Sequence, residues 1–379
     1  MSQLSYKSDL IESARRVVVK VGTAVLAGSA GLDGEIIDRL AAQTDDLCSA
    51  GREVVIVSSG AIAAGRALLR GLRGTTIAAR QAAAAAGQNE LMNSWARAFA
   101  VHGRTVGQIL LTHQDLAEPR RRNNARQTIL TLLAAGVIPI VNENDTVSVD
   151  EIRLGDNDVL SSLVATLLQA NLLVILTDVE GVLTGDPRTR ADARLIPLIA
   201  DPQAPMRGLV AESAGPLGSG GMATKLKAAR QAAHAGVPVI ITAGRSADGL
   251  AGALDPAVAA GTLILPASHR LKGRKRWIAF ALRPAGTLTL DRGASDALRS
   301  SGRSLLPSGV HAVSGEFSGG DCVSLLDPDG VEFGRGIVNY PATDVLKLKG
   351  RRSNEIANLL GYKVADEIIH RDNLALLGE

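Results

Sequence analysis

The chain has 379 residues, room for two or three domains of roughly 100–200 residues each, and its 46% hydrophobic and 21% charged content argues against disorder. Four Phe, three Tyr and two Trp leave the core to Ala, Val, Leu and Ile and offer few rings for stacking single-stranded nucleic acid. The net charge of +3 is local, since residues 1–267 carry 25 basic and 25 acidic side chains while 268–379 carry 16 and 13.

The first sixteen residues, MSQLSYKSDLIESARR, are polar and contain acids, so no signal peptide is expected. Short β-branched runs at 17–21, 54–57, 137–141, 172–176 and 237–241 read as buried strands. Between them, 35–50, 77–101, 123–135, 159–169 and 222–235 read as helices. Continuous apolar strands separated by helices predict an α/β fold, a three-layer αβα sandwich around a mainly parallel sheet. The uncharged run 159–177 is long enough to span a bilayer. It contains Ser161, Ser162, Gln169 and Asn171 and is bounded by Asp158 and Asp178, which favours a buried helix followed by a buried strand. Arg270, Lys272, Arg274, Lys275 and Arg276 read as a solvated basic linker over 268–283, separating a catalytic domain at 1–267 from a second one. Beyond it, strand-like pieces at 286–290, 322–326 and 331–338 alternate with turns and predict a small, mainly β domain at 284–362, followed by a tail at 363–379. Cys48 and Cys322 form no ladder and the six histidines show no metal-ligand spacing. A disulfide scaffold and a protein-bound zinc are therefore not expected, and a reducing cytoplasm is the natural compartment.

In open α/β sheets, ligands bind beyond the carboxyl ends of the strands, and here those ends are polar or glycine-rich. The first reads Val19-Lys20-Val21-Gly22-Thr23, with a lysine inside an apolar strand that is costly to bury unless paired. The second reads 57-VSSGAIAAG-65, whose small residues let backbone N–H groups approach a ligand. Two acidic segments follow, Asn142-Glu143-Asn144-Asp145 and Gly155-Asp156-Asn157-Asp158, suited to binding an ammonium group and organising a magnesium ion. Thr177-Asp178 closes another strand. Gly218-Ser219-Gly220-Gly221-Met222-Ala223-Thr224-Lys225 is a phosphate cradle in type. It is not a Walker A loop, because Leu226 follows the lysine where that motif has Ser or Thr, and no GxGxxG follows the first strand.

Taken in order, VKVGT (19–23), VSSGAIAAG (57–65), NENDTV (142–147), GDNDVLS (155–161), LTDVEGVLT (176–184) and GSGGMATK (218–225) resemble the amino-acid kinase family, in particular the members that phosphorylate glutamate. The resemblance runs from about Arg16 to the C-terminus, and the second domain resembles the PUA domain appended to bacterial members. Ala24 stands where the family usually has Ser, and Val182 where it usually has Leu. The resemblance implies ATP- and Mg2+-dependent phosphorylation of the L-glutamate side-chain carboxylate, the first step towards proline. By correspondence, Lys20, Lys225, Asp156 and Asp158 would be catalytic; Ser59, Asp145 and Asn157 would hold glutamate. Lys20, Thr177, Asp178, Ser219, Gly220, Gly221, Met222, Ala223, Thr224 and Lys225 would hold ATP, while direct metal ligands stay open. It further implies inhibition by proline, a homo-oligomer and transfer of the product to glutamyl-phosphate reductase; RNA binding by the PUA-like domain stays open and no membrane is involved. Two other readings compete: a family member acting on aspartate, N-acetylglutamate or a nucleoside monophosphate, and an RNA-binding protein led by residues 270–379.

Overall fold

The computed structural model describes residues 3–28, 31–69, 76–147, 157–186, 189–190, 192–202, 221–266, 275, 278–279, 282 and 284–377. They pack as two units, Met1–Ser268 and His269–Glu379.

In the first unit α1 (Gln3–Glu12) leads into β1 (Arg16–Val21). There follow α2 (Thr23–Leu26), the short pair β2 (Ala27–Gly28) and β3 (Gly31–Leu32), α3 (Gly34–Ser49), β4 (Glu53–Ser58), α4 (Ala61–Leu68), α5 (Ile77–Ala100) and β5 (Val106–Leu111). Next come α6 (His113–Ala117), α7 (Pro119–Ala134), β6 (Ile138–Glu143), α8 (Asn157–Leu168), β7 (Leu172–Thr177), β8 (Leu198–Ile199), α9 (Met222–His234), β9 (Val239–Ala243), α10 (Gly249–Leu254) and β10 (Thr262–Ile264). Among the described residues the main sheet has eight strands in the order β5-β6-β4-β1-β7-β9-β10-β8. The run from β5 to β9 is parallel, β10 turns antiparallel against β9, and β8 pairs parallel with β10. The expected αβα sandwich with a mainly parallel sheet is therefore the fold of this unit, and the uncharged run is α8 followed by β7, joined through Gln169 in the left-handed region at φ 52°.

The alternation of side chains along a strand divides the core in two. Val17, Val19 and Val21 face one layer with Val54, Ile56, Leu172, Val174 and Leu176, covered by Leu40 of α3, Leu91, Trp95 and Phe99 of α5 and Leu250 of α10. The intervening residues of β1, Val18 and Lys20, face the layer that contains α8, which packs on β1, β4, β6 and β7. One residue of register thus sends a lysine from the central strand to the side where α8 and α9 meet.

The helices begin where the sequence supplies caps. Asp33 accepts from Ile36 N at the start of α3 and Thr76 from Ala79 N at α5. Helix α7 starts earlier than the periodicity suggests, because Pro119 sits in its first turn and the Glu118 carboxylate accepts from the N–H groups of Arg120 and Arg121. Helices α4 and α5 cross at glycines: a Cβ at Gly65 would lie 1.7 Å from the Ala83 carbonyl oxygen, and one at Gly87 would lie 1.8 Å from that of Ala61. No helix of the described residues is long and apolar enough to cross a membrane.

The second unit has its own sheet, β11 (Gly286–Leu290), β12 (Val310–Gly315), β13 (Cys322–Leu326), β14 (Glu332–Ile337) and β15 (Leu374–Leu376), in the order β12-β11-β13-β14-β15. Its core is separate, built on Leu288, Val323, Leu325, Phe333, Tyr340, Val345 and Ile369. The segment expected as a C-terminal tail supplies β15, which pairs with β14. Most of the expected basic linker lies outside the described residues. Neither Cys48 nor Cys322 is in a disulfide.

Candidate active site

Parallel pairing of β6, β4, β1, β7 and β9 brings their carboxyl ends to one edge, and two polar clusters assemble there. The first is centred on Asp158, in the first turn of α8 and 1% exposed. Its Oδ1 lies 2.5 Å from Lys20 Nζ and its Oδ2 lies 3.4 Å from Lys225 Nζ. Lys20 reaches it from β1, where it pairs with Val57 and Ile175; Lys225 reaches it from the first turn of α9, which packs against α8. Thr224 Oγ1 lies 3.2 Å from Asp158 Oδ2 and donates to the Gly221 carbonyl at 2.8 Å. Burial alone would raise the Asp158 carboxyl, yet Lys20 and Lys225 outweigh it and hold the group below the usual carboxylate range. Lys20 shows the opposite balance: burial lowers its pKa more than Asp158 raises it, with Lys225 adding to the fall. One buried carboxylate thus stands between two amines in an almost dry site.

Space for an anion lies beside it. A Cβ on Gly22 would stand 3.3 Å from Lys20 Nζ and 3.5 Å from the Leu176 carbonyl oxygen, so the missing side chain leaves the amine open to a ligand. Helix α9 starts at Gly221 with no side-chain cap, and its first-turn N–H groups face the same region as Thr224 and Lys225. Thr177, at the end of β7, donates from Oγ1 to Asp178 Oδ1 at 3.0 Å, and Asp178 is near enough to act electrostatically on Lys20. These features suit phosphate oxygens.

The second cluster joins β4, β6 and α8. Asn157 Nδ2 donates to Ser59 Oγ at 2.9 Å and to Asn142 Oδ1 at 2.8 Å, with Ser58 O at 3.4 Å. Trp95 Nε1 donates to Ser58 Oγ at 3.0 Å. Asp145 follows β6 and is half-buried; burial pushes its carboxyl up to about 6, against the pull of Arg80.

Of the expected site residues, Lys20, Asp158, Thr224 and Lys225 form one cluster, and Ser59 and Asn157 form the other. Gly221, Met222 and Ala223 open α9, and Thr177 and Asp178 end β7. Asp156, Ser219 and Gly220 lie outside the described residues. Asn142 sits in a motif that sequence reasoning singled out, but the pairing of its amide with Asn157 was not foreseen. Gln88, which meets Asn142 across the fold, had no signal in its Ala-rich surroundings. Among the described residues no three His, Cys, Asp or Glu side chains gather to hold a metal. Asp158 has both oxygens directed at lysines, so the described residues offer no ready protein cage for a magnesium ion.

Residues 15–243 match the amino acid kinase family and residues 286–360 match the PUA domain. A glutamate 5-kinase of Geobacter sp. (strain M21) is 50% identical over 374 residues, covering 98% of this chain and 100% of its own. Glutamate 5-kinases of Geobacter sulfurreducens, at 49% identity over 98% of this chain and 100% of theirs, and of Moorella thermoacetica, at 46% over 97% and 98%, are similar along the same extent.

Proposed function

The chain belongs to the amino acid kinase family, among its glutamate 5-kinases, and from that premise we propose that it transfers the γ-phosphoryl group of ATP to the side-chain carboxylate of L-glutamate. The observation that carries the reading is the buried carboxylate of Asp158 between Lys20 and Lys225, beside an uncapped helix N-terminus.

The chemistry fits that inventory. The acceptor carboxylate, with a pKa of ~4.3, is ionised at neutral pH and needs no general base. An oxygen of the carboxylate bonds to Pγ as the bond from Pγ to the bridging oxygen breaks, giving an acyl phosphate and ADP with no net proton transfer. Two anions must approach, so the protein's contribution is positioning and charge neutralisation. Lys20 and Lys225 supply positive charge, and Asp158 holds both ammonium groups in place. Thr177, Asp178 and the first turn of α9 hold the nucleotide, and a magnesium ion bound to its phosphates would neutralise part of their charge. Ser59, Asn157 and Asp145 hold glutamate, with Asp145 against the α-ammonium.

Proline belongs to the same reading as a competitive inhibitor. It shares the α-carboxylate and a charged amine with glutamate but has no side-chain carboxylate to attack phosphorus. The acyl phosphate is labile in water, which favours passing it to a reductase, and self-association of the chain is part of the same reading. The PUA domain is read as structural or regulatory. The test is ATP turnover with glutamate, aspartate and N-acetylglutamate, trapping the acyl phosphate as a hydroxamate. Glutamate should be preferred by at least ~10²-fold; an equal or greater rate with either competitor overturns the assignment.

A further inference from the structure

The amide of Asn142 is 2% exposed and has a polarity that can be deduced rather than assumed. The backbone N–H of Glu143 lies 2.9 Å from one atom of that amide, and a backbone N–H can only donate, so that atom is Oδ1. The same Oδ1 accepts from Asn157 at 2.8 Å, which makes the Asn157 atom its Nδ2. The far side of Asn142 must then present Nδ2, and Gln88 Oε1 accepts from it at 2.7 Å. A single fixed donor therefore sets three amides in sequence. The consequence falls at the end of the relay: Asn157 spends its NH2 on Asn142 and Ser59, and its Oδ1 is buried with no hydrogen-bond partner among the described residues. A buried acceptor without a donor calls for a ligand that brings one.

We propose that Gln88 is a positioning residue for substrate specificity: by accepting from Asn142 Nδ2 it holds the Asn142–Asn157 amide pair in place and so keeps the unpartnered Asn157 Oδ1 set as an acceptor for the α-ammonium of the amino-acid substrate. This rests on the reading of glutamate as substrate. Without the acceptor at residue 88, the Asn142 NH2 is stranded in the core. The Glu143 N–H still fixes Asn142 Oδ1, so the amide does not reverse; it shifts towards another acceptor and takes the Asn157 amide it holds out of place for the ammonium. Gln88 stands beside Gly87, where α5 meets α4 closely enough for the carbonyl of Ala61 to occupy the place of a Cβ, so its backbone has little freedom to drift. Its own Nε2 is buried without a partner among the described residues, so the amide nitrogen is not needed for the fold.

The experiment compares Gln88→Leu, Gln88→Met and Gln88→Glu in the full-length enzyme, using glutamate and glutarate, which lacks the amino group. Gln88→Leu and Gln88→Met remove the acceptor and should raise the KM for glutamate by ~10-fold or more, with kcat and the KM for ATP within ~3-fold. They should also lower the preference for glutamate over glutarate by ~10-fold. Gln88→Glu keeps an acceptor at the same place and should hold both quantities within ~3-fold of the wild type. If Gln88→Glu loses glutamate as severely as Gln88→Leu, Nε2 touches the substrate directly and the relay is overturned. Equal losses for glutamate and glutarate, or a parallel rise in the KM for ATP, reduce the residue to a structural role and overturn it also. Should the apolar variants fail to fold, Gln88→Glu and the Gln88→His variant, which retains an acceptor nitrogen, still decide between relay and direct contact. Failure of the wild-type enzyme to phosphorylate glutamate at all would strike the substrate reading instead, a result visible before any variant is made.

Discussion

Lys20 sits 4% exposed on a central strand, a position where an ammonium group is costly unless its charge is answered. Asp158 answers it statically, and a transferring phosphoryl group would answer it during turnover. Lys20→Ala and Lys225→Ala are therefore expected to lower kcat by ~10²-fold or more while the substrate KM values move less, measured by steady-state turnover. Near-normal kcat in either variant removes that lysine from the chemistry. Asp145 adds a pH dependence. Its carboxyl is raised by burial to about 6, so as pH falls through that value the anion is lost, and with it the proposed partner of the substrate ammonium. The kcat/KM for glutamate should fall below about pH 6, and Asp145→Asn should lower it at pH 7.5 by ~10-fold while flattening that limb. The flattening separates Asp145 from titration of ATP itself, whose limb both proteins share.

At the level of elements, the crossing of α4 and α5 fixes the glycine-rich turn after β4. Gly87→Ala would drive a methyl into the Ala61 carbonyl, and only a separation of the helices relieves it. A loss of ~2–4 kcal/mol in denaturant unfolding is expected, with the glutamate KM raised because Ser59 and Gln88 lie on either side of the crossing. A loss below ~0.5 kcal/mol would show that the helices part freely. Elements of this kind differ in how clearly the sequence announces them. Strands β1, β4 and β7 are buried on both faces, which calls for near-continuous apolar runs, broken in β1 only by Lys20, and makes them plain to read. Strand β5 lies at the sheet edge and mixes Gly107 and Gln108 with apolar residues, so its periodicity is lost; β10 is three residues long and runs against its neighbour. The motifs marked the strand ends at which the two polar clusters assemble. They did not tell that Asp158 would stand between Lys20 and Lys225, because that contact depends on which face of β1 the alternation assigns to the lysine and on how α8 meets α9. Gln88 was harder still, since a glutamine within alanines carries no pattern of its own.

Across the whole molecule, each unit has its own sheet and its own core. A chain ending after Ser268 should therefore fold and retain glutamate turnover within ~3-fold, checked by circular dichroism and the hydroxamate assay. Loss of activity with folding intact would assign the PUA domain a part in catalysis. The first unit also closes on itself over a long stretch of chain. From α1, Gln3 Nε2 donates to the carbonyls of Ala260 and Gly261 at 3.2 and 3.1 Å, and Lys7 Nζ donates to those of Gly252, at 2.7 Å, and Val258. These partners are made at the opposite end of the unit, 245 residues later for Lys7 and Gly252. At roughly 5–20 residues per second of synthesis, the N-terminal helix waits about 10–50 s for them. Helix α1 is thus made well before the backbone that secures it, and through that interval Gln3 and Lys7, both buried in the finished fold, lack these partners.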